Sequence, residues 1–414
     1  MPVMNEQLAV AGGTPVRDVK LKPWPEWPVA DEAQWRTRVE PALREVFLSH
    51  VEGLPGPGAQ AFGAKLAGYC GAKFGRMVSH GTDAIAAALA GALDLQAWEE
   101  GGEVILPNYT FIATASAPLD RRCTLAFVDI DPDTFTIDPA AIEQAIVPGK
   151  TRAIIPVHLA GHPANMRRIM EIARKHGLKV IEDCAQAHGA ICDGRQVGSI
   201  GDAGAFSFQS SKNLCSGEGG AVTTNDQGID DRVTAFMDVG RHPRGERWEY
   251  PRLGWNYRPS EYLAALLSLR LDDLEAQSQH RVRMAKILSD HLRQVPGITP
   301  PQWGSWCTRH AYHLYNMLYE PAHFGNKSRD EVVAALRAEG VPVVAGYTQT
   351  LSQSPALSRQ RERFPETIRA LPCPNAEHVC SRSMWLTQNV LLANESDMAE
   401  IAETMAKVRR LMSR

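Results

Sequence analysis

The chain has no CxxC pair, no block of lysines or arginines, no apolar run of membrane-spanning length and no internal repeat. Each absence removes a class. The eight cysteines (Cys70, Cys123, Cys184, Cys192, Cys215, Cys307, Cys373, Cys380) are scattered along 414 residues. Such spacing suits buried free thiols in a reducing cytoplasm, not a disulfide frame or a zinc site, so no metal is expected. With 44 basic against 47 acidic residues, the formal net charge is -3. There is no nucleic-acid-binding motif, so nucleic acid is not expected as a partner. Residues 1–7 lack the basic segment and apolar core of a signal peptide, and no membrane contact is expected. The 44% hydrophobic content is ordinary for a globular protein.

What is present is an alternation. Residues 1–30, rich in proline and tryptophan, read as an extended arm. A helix is expected from Asp31 to Leu48, then a glycine- and proline-rich loop over 53–58. Strands follow at 76–79, 103–106, 125–128, 153–157, 179–182, 203–208 and 221–224, with helices at 84–95 and 166–176 between them. This order predicts an α/β fold with a mostly parallel sheet wrapped by helices. Ligands sit beyond the carboxyl ends of such strands. Residues 79–82, 109–111, His158, Asp183 and Gln186 fall there. Beyond residue 262 the pattern changes to a helix over 262–271 that resumes at 281–294 after a break. A strand-like 311–319 and helices at 328–339 and 397–411 follow. The expected division is an arm (1–30), a large α/β domain (31–275) and a smaller α+β domain (276–414).

Residues 204–220 hold the chemistry. Lys212 stands between a short apolar strand and the turn Ser216-Gly-Glu-Gly-Gly220. Desolvation there would lower its pKa and make its amine nucleophilic, as a Schiff base requires; a surface-loop lysine is the alternative. An aldehyde cofactor with a phosphate and a pyridine ring would need three further things. Asp183, ending an apolar strand, could hold the ring nitrogen protonated, or could cap the next helix. Gly81 and Thr82, at a strand-to-helix turn, could bind the phosphate through free amides and a hydroxyl, or form a plain capping turn. Phe111 could cover the ring, or belong to the core.

The order of these residues, and the gap of about 30 between Asp183 and Lys212, match one arrangement. The chain resembles the DegT/DnrJ/EryC1/StrS family of sugar aminotransferases along nearly its whole length. The matching blocks are Gly81-Thr82, Pro107-Asn-Tyr-Thr-Phe-Ile-Ala-Thr114, Val128-Asp-Ile-Asp131, Pro156-Val-His-Leu-Ala-Gly161, Glu182-Asp-Cys-Ala-Gln-Ala-His-Gly-Ala190, Phe206-Ser-Phe-Gln-Ser-Ser-Lys212, Gly217-Glu-Gly-Gly220 and Gly254-Trp-Asn-Tyr-Arg258. The resemblance implies fold type I of the pyridoxal 5'-phosphate enzymes, with a seven-stranded sheet in the large domain. It implies that Lys212 binds the cofactor aldehyde and Asp183 pairs with the pyridinium nitrogen. Gln186 would hold the ring hydroxyl, Phe111 would stack on the ring, and Gly81, Thr82 and Ser207 would bind the phosphate. Asn256 would reach the phosphate of the other subunit of a homodimer; read alone, it is a turn residue before a helix. Pyridoxamine 5'-phosphate would be the intermediate form, passed between a glutamine or glutamate donor and a ketone.

Residues 8–17 and Gln209 resemble a narrower branch, which includes glutamine:scyllo-inosose aminotransferases and aminohydroxybenzoate synthases. This favours a keto-cyclitol or free keto-sugar in secondary-metabolite or amino-sugar biosynthesis. A nucleotide keto-sugar or an aminohydroxybenzoate-type reaction is the alternative. Pyridoxamine-dependent dehydratases of the same fold carry histidine where Lys212 stands, and a non-catalytic cofactor-binding protein would not need Lys212, Asp183 and the phosphate turn together. Two departures stand out: Cys215 where threonine is common, and residues 346–354 in place of a histidine-tyrosine-x-proline run. His80, Arg241, Tyr257, His313 and Tyr347 are candidate substrate contacts or structural residues, and His188 reads as a packed histidine behind the site.

Overall fold

The computed structural model describes residues 7–53, 56–96, 99–242, 244–246 and 248–413. Its main sheet has the order Phe74–Val78, Gly220–Thr224, Ala203–Ser207, Lys179–Asp183, Thr151–Ile154, Gly102–Pro107, Cys123–Val128, Ile368–Ala370. All but Gly220–Thr224 run parallel. The seven strands expected are thus joined by an eighth. Ile368–Ala370 comes from the region read as the small domain and pairs in parallel with Leu125–Phe127 of the neighbouring strand. Three residues flanked by turns carry too little periodicity to be read as a strand.

Local chemistry explains the covering helices. Met166–His176 buries Met166, Ile169, Ile172 and Ala173, one stripe at helical spacing. The Asn165 side chain accepts from Arg168 N at its start, and Gly177 ends it in the left-handed conformation. Gly81–Leu93 buries every residue from Ala84 to Leu93. Its small alanines let it lie close between the sheet and the helix Gln227–Met237. Several helices were not read from the sequence, among them Ala113–Asp120, Gln227–Met237 and Pro57–Cys70, the last over residues partly assigned to a loop. Its first amides are capped from far along the chain, Gly58 N and Ala59 N donating to Glu261 at 2.7 and 2.9 Å.

The expected helix break between 271 and 281 is absent. Glu261–Leu292 is continuous and carries the expected 275/276 division in its interior. It spans from the main sheet to a four-stranded antiparallel sheet, ordered Ile298–Thr299, Leu314–Tyr319, Ser383–Thr387, Val344–Ala345. One face of that sheet, with Tyr315, Met317 and Met384, packs on helices Arg329–Ala338 and Glu395–Met412. The other face, with Leu314 and Trp385, meets Tyr109, Leu159 and Ala160 of the main body. The helix expected at 31–48 is present as Glu32–Gln34, a π-turn at Trp35–Val39 and Glu40–Ser49, with no buried residue.

The arm is tied down. Arg17 is buried, donates to Asp397 and Glu400 at 2.8 and 2.7 Å, and lies 3.7 Å from the Trp24 ring centre. Glu339, fully buried, accepts from Ala9 N and Val16 N and pairs with Lys407 at 2.9 Å. Trp27 Nε1 donates to Ser210 O at 3.0 Å, which joins the arm to the Lys212 loop. The Glu339→Ala variant leaves Lys407 unpaired and two amides unmet. Urea unfolding should show a loss of about 3 kcal/mol, whereas Glu32→Ala, which removes an exposed pair, should cost under ~1 kcal/mol.

Candidate active site

Parallel strands place their carboxyl ends on one edge, and four of those ends meet here. Lys179–Asp183 delivers Asp183, Ala203–Ser207 delivers Ser207, Phe74–Val78 leads to Gly81, and Gly102–Pro107 leads to Phe111. Lys212 follows Ser207 in a loop closed at both ends: Phe208 N donates to Gly219 O, Ser216 N to Phe208 O, and Ser210 N to Gly217 O. Gln209 braces its interior. Its carbonyl accepts from Lys212 N at 2.9 Å and its Oε1 from Ser211 N and Oγ. Burial lowers the Lys212 pKa, and the charge of Asp183 partly restores it.

Asp183 is buried on a face shared with Thr114, whose hydroxyl donates to Oδ2 at 2.8 Å; Ala185 N donates to Oδ1 at 3.1 Å. Burial raises its pKa against these two bonds and the charge of Lys212. Next along the strand, Glu182 points to the other face and accepts from Gly198, Ile200 and Gly201 amides. His158 Nδ1 accepts from Ala164 N, so its Nε2 carries the proton given to Glu182 at 3.1 Å. With Cys184 these form a compact trio of possible metal ligands, but both His158 nitrogens and the Glu182 oxygens are already taken. The trio is a hydrogen-bond hub under Asp183. His158 is among the residues expected at a strand end, and Thr114, Glu182 and Cys184 lie within the matching blocks, but no spacing assigned them these contacts.

Gln186 Oε1 accepts from Ala160 N at 2.7 Å, which leaves its NH2 facing the Tyr347 phenol. Tyr347 is wedged edge-on between Tyr109 and Trp385, at 5.3 and 4.8 Å. Gly346 has no room for a side chain, since a Cβ would lie 1.9 Å from Ser383 Oγ; this is where the stretch departs from histidine.

The turn before the helix Gly81–Leu93 is built by close approach. A Cβ on Gly81 would lie 2.5 Å from Ser207 Cβ and 2.9 Å from its Oγ, and one on Gly220 would lie 2.2 Å from His80 O. The helix that begins at Gly81 has no side-chain cap, so its first amides and the Ser207 hydroxyl converge with no intrahelical acceptor. Phe111 is 57% exposed, with a ring free to cover something. His80 is exposed and pairs with Asp83. Cys215 is buried, with its carbonyl and sulfur against Arg270.

Asn256 is not brought to this group. It bridges Asp238 through the backbone and lines an open cleft with residues 50–53 and 258–260. Arg241 and Arg258 both pair with Asp238, and Tyr257 packs on Phe236. His188 and His313, by contrast, lie behind Lys212, whose charge helps keep both imidazoles neutral.

The DegT/DnrJ/EryC1/StrS aminotransferase family profile matches residues 36–406. The chain belongs to this family. It is 36% identical to the L-glutamine:2-deoxy-scyllo-inosose aminotransferase of Streptomyces kanamyceticus, over 99% of this chain and 98% of that one. It is 37% identical to the UDP-N-acetyl-3-dehydro-alpha-D-glucosamine 3-aminotransferase of Acidithiobacillus ferrooxidans, over 85% and 88%. The crystal structure of 3-amino-5-hydroxybenzoic acid synthase superposes with a TM-score of 0.82 at 27% identity, covering 93% of this chain and 98% of that one. The protein is therefore a pyridoxal phosphate-dependent aminotransferase of fold type I. The residues present fit that cofactor: uncapped amides beside Ser207, a buried carboxylate with one side-chain donor, and a lysine lowered by burial. Among the described residues no helix is long and apolar enough to cross a membrane.

Buried histidines set an acid limit. Burial pushes His162 to about 4, His188 to about 3, and His310 and His313 well below the ordinary value of 6.5. The folded protein keeps them neutral while the unfolded chain protonates them, so stability is full above pH 6.5 and falls as pH drops. Unfolding at pH 5 should take up about four protons from these groups, measured as the pH slope of urea-unfolding free energy. The His188→Phe variant should remove about one of them.

Proposed function

We propose that this aminotransferase moves an amino group from glutamine or glutamate onto a keto-cyclitol or free keto-sugar. The carrying observation is the partly buried Lys212 lying within electrostatic reach of buried Asp183, in a chain similar throughout to a scyllo-inosose aminotransferase. When bound, pyridoxal phosphate supplies an aldehyde that takes the amino group, held as pyridoxamine phosphate between half-reactions, and a ring that withdraws electron density.

This chain's residues do the rest. Asp183, raised by burial but favoured as a carboxylate by Thr114, Ala185 N and the charge of Lys212, would hold a proton on the ring nitrogen. Thr114 and Ala185 N keep its carboxylate turned toward the ring. Gln186 gives its NH2 to the ring hydroxyl oxygen, and Phe111 covers the ring and excludes water from one face. Gly81, Thr82 and Ser207 take the phosphate, with the helix start favouring negative charge. Lys212 Nζ, kept basic but partly desolvated, would move the proton between the donor carbon that bears nitrogen and the cofactor's C4′ carbon, on the one face where the lysine stands. Tyr347, on Gln186, faces the acceptor. Asn256, away from its own subunit's site, would serve the phosphate of a second copy in a homodimer.

A second reading, an acceptor linked to a nucleotide, is favoured by the likeness to the Acidithiobacillus ferrooxidans enzyme. A screen of keto-cyclitols and nucleotide keto-sugars with both donors separates the two. Amination of scyllo-inosose-type ketones with glutamine is expected; conversion of nucleotide sugars alone would refute the first reading. Lys212→Ala should lose at least ~10²–10⁴-fold in kcat, the worth of a positioned proton-transfer group. Thr114→Val should lower kcat by roughly tenfold with little change in donor KM, because removing the hydroxyl loosens Asp183 at a cost of about 1–2 kcal/mol.

A further inference from the structure

Behind Lys212 lies a polar layer that the proposed reaction leaves unused. Arg281, on the long helix Glu261–Leu292, is wholly buried. Its Nε and Nη2 donate to Gln388 Oε1 at 3.0 and 2.5 Å, and its Nη1 has no partner. Among the described residues no carboxylate acts on it, and burial pushes its pKa down to about 9, which leaves the guanidinium charged at neutral pH. His313 Nδ1 and Asn213 Oδ1 are also without partners, and the His188 ring has only the Ser207 backbone near it. These side chains are 6%, 2% and 2% exposed. The charges of Lys212 and Arg281 both bear on His188 and on His313, so the groups share one neighbourhood.

The layer is short of negative charge. Arg281 Nη1 offers only N–H donors, a neutral imidazole can turn an N–H inward, and Asn213 Oδ1 is a lone acceptor. A water molecule would meet the hydrogen bonds but not the charge. A buried guanidinium without a counter-charge is strongly destabilising, and a small anion answers both needs. There is also a route in. Trp27 of the arm stacks 5.1 Å from the Arg281 guanidinium. It also lines, with Asn213, Cys215 and Arg270, a groove of about 330 Å³. Trp27 is the partition between groove and layer.

We propose that Arg281, with His313 and His188, forms a buried site for a small monovalent anion, a carboxylate or a halide, directly behind Lys212. Two sources supply that chemistry: the carboxylate of the amino donor, or a free anion from solution. The first source rests on the aminotransferase reading above; the site itself rests on this chain's residues. Bound there, the anion favours the charged form of Lys212 and so raises the pH at which Lys212 gives up its proton.

Two measurements on the holoenzyme test this. In crystals soaked in sodium bromide, anomalous scattering should place bromide within hydrogen-bond reach of Arg281 Nη1. In solution, the pH midpoint of the visible band of the lysine-linked cofactor should rise by about half a unit from a bulky sulfonate anion, which is neither carboxylate nor halide, to chloride at constant ionic strength. The Arg281→Met variant should abolish both effects. If it does not fold, His313→Leu, which keeps Arg281 on Gln388, should weaken the bromide peak several-fold. Glutamine that displaces bromide identifies the donor carboxylate as the occupant; bromide that stays beside glutamine identifies a solution anion. Water alone at Nη1 would overturn the proposal. So would an adventitious ion only, bromide bound with no change of midpoint. Failure to aminate any ketone would refute the aminotransferase reading and leave the bromide result standing.

Discussion

A carboxylate and an amine share one poorly hydrated volume in this protein, and much of the fold serves to keep both usable. Burial works against charge on each: it raises Asp183 and lowers Lys212. Each charge favours the other, and Thr114 and Ala185 N add two hydrogen bonds that favour the carboxylate. The result is a buried carboxylate held ionised by its neighbours near an amine that gives up its proton readily. Asp183 ends one strand and Lys212 lies in the loop after its neighbour, and the parallel pairing of Ile181–Asp183 with Ala203–Ala205 sets their relation. Glu182 adds rigidity from the opposite face by fixing three amides of the 198–201 turn.

Much of this was legible in the sequence, because short-range chemistry left marks. Strand ends followed by polar residues pointed to residues 79–82 and 109–111, Asp183 and Gln186, whereas Ser207 entered only with the family resemblance. The helix start at Gly81 was visible as a turn after an apolar strand. Lys212 could not be told from a surface lysine by its own neighbours; the other residues gave it meaning, since each meets a different need of one cofactor. The departure at Gly346 was also visible, though its cause was not: Ser383, 37 residues onward, occupies the space.

What could not be read depends on contacts with no local signature. Glu261 caps a helix that starts some 200 residues earlier. Thr114 looks like any threonine early in a helix until Asp183 is seen at 2.8 Å. Arg281 sits in a helix as an ordinary basic residue, and only the fold reveals that it is buried without a counter-charge. The continuous helix Glu261–Leu292 hid its length for a related reason: residues 272–280 are polar because they lie where the helix crosses from one body to the other.

The last strand of the main sheet has a further consequence for how the chain is made. Ile368–Ala370 pairs with Cys123–Val128 across more than 240 residues. Until position 370 has left the ribosome, Cys123–Val128 remains an open edge of nearly bare Leu, Ala, Phe and Val. Such an edge invites pairing with another nascent chain. The two bodies therefore cannot mature strictly one after the other: the larger is finished by a segment that must first thread past the smaller. The main sheet is closed only once residues 368–370 have been made, and until then its edge stays open to pairing.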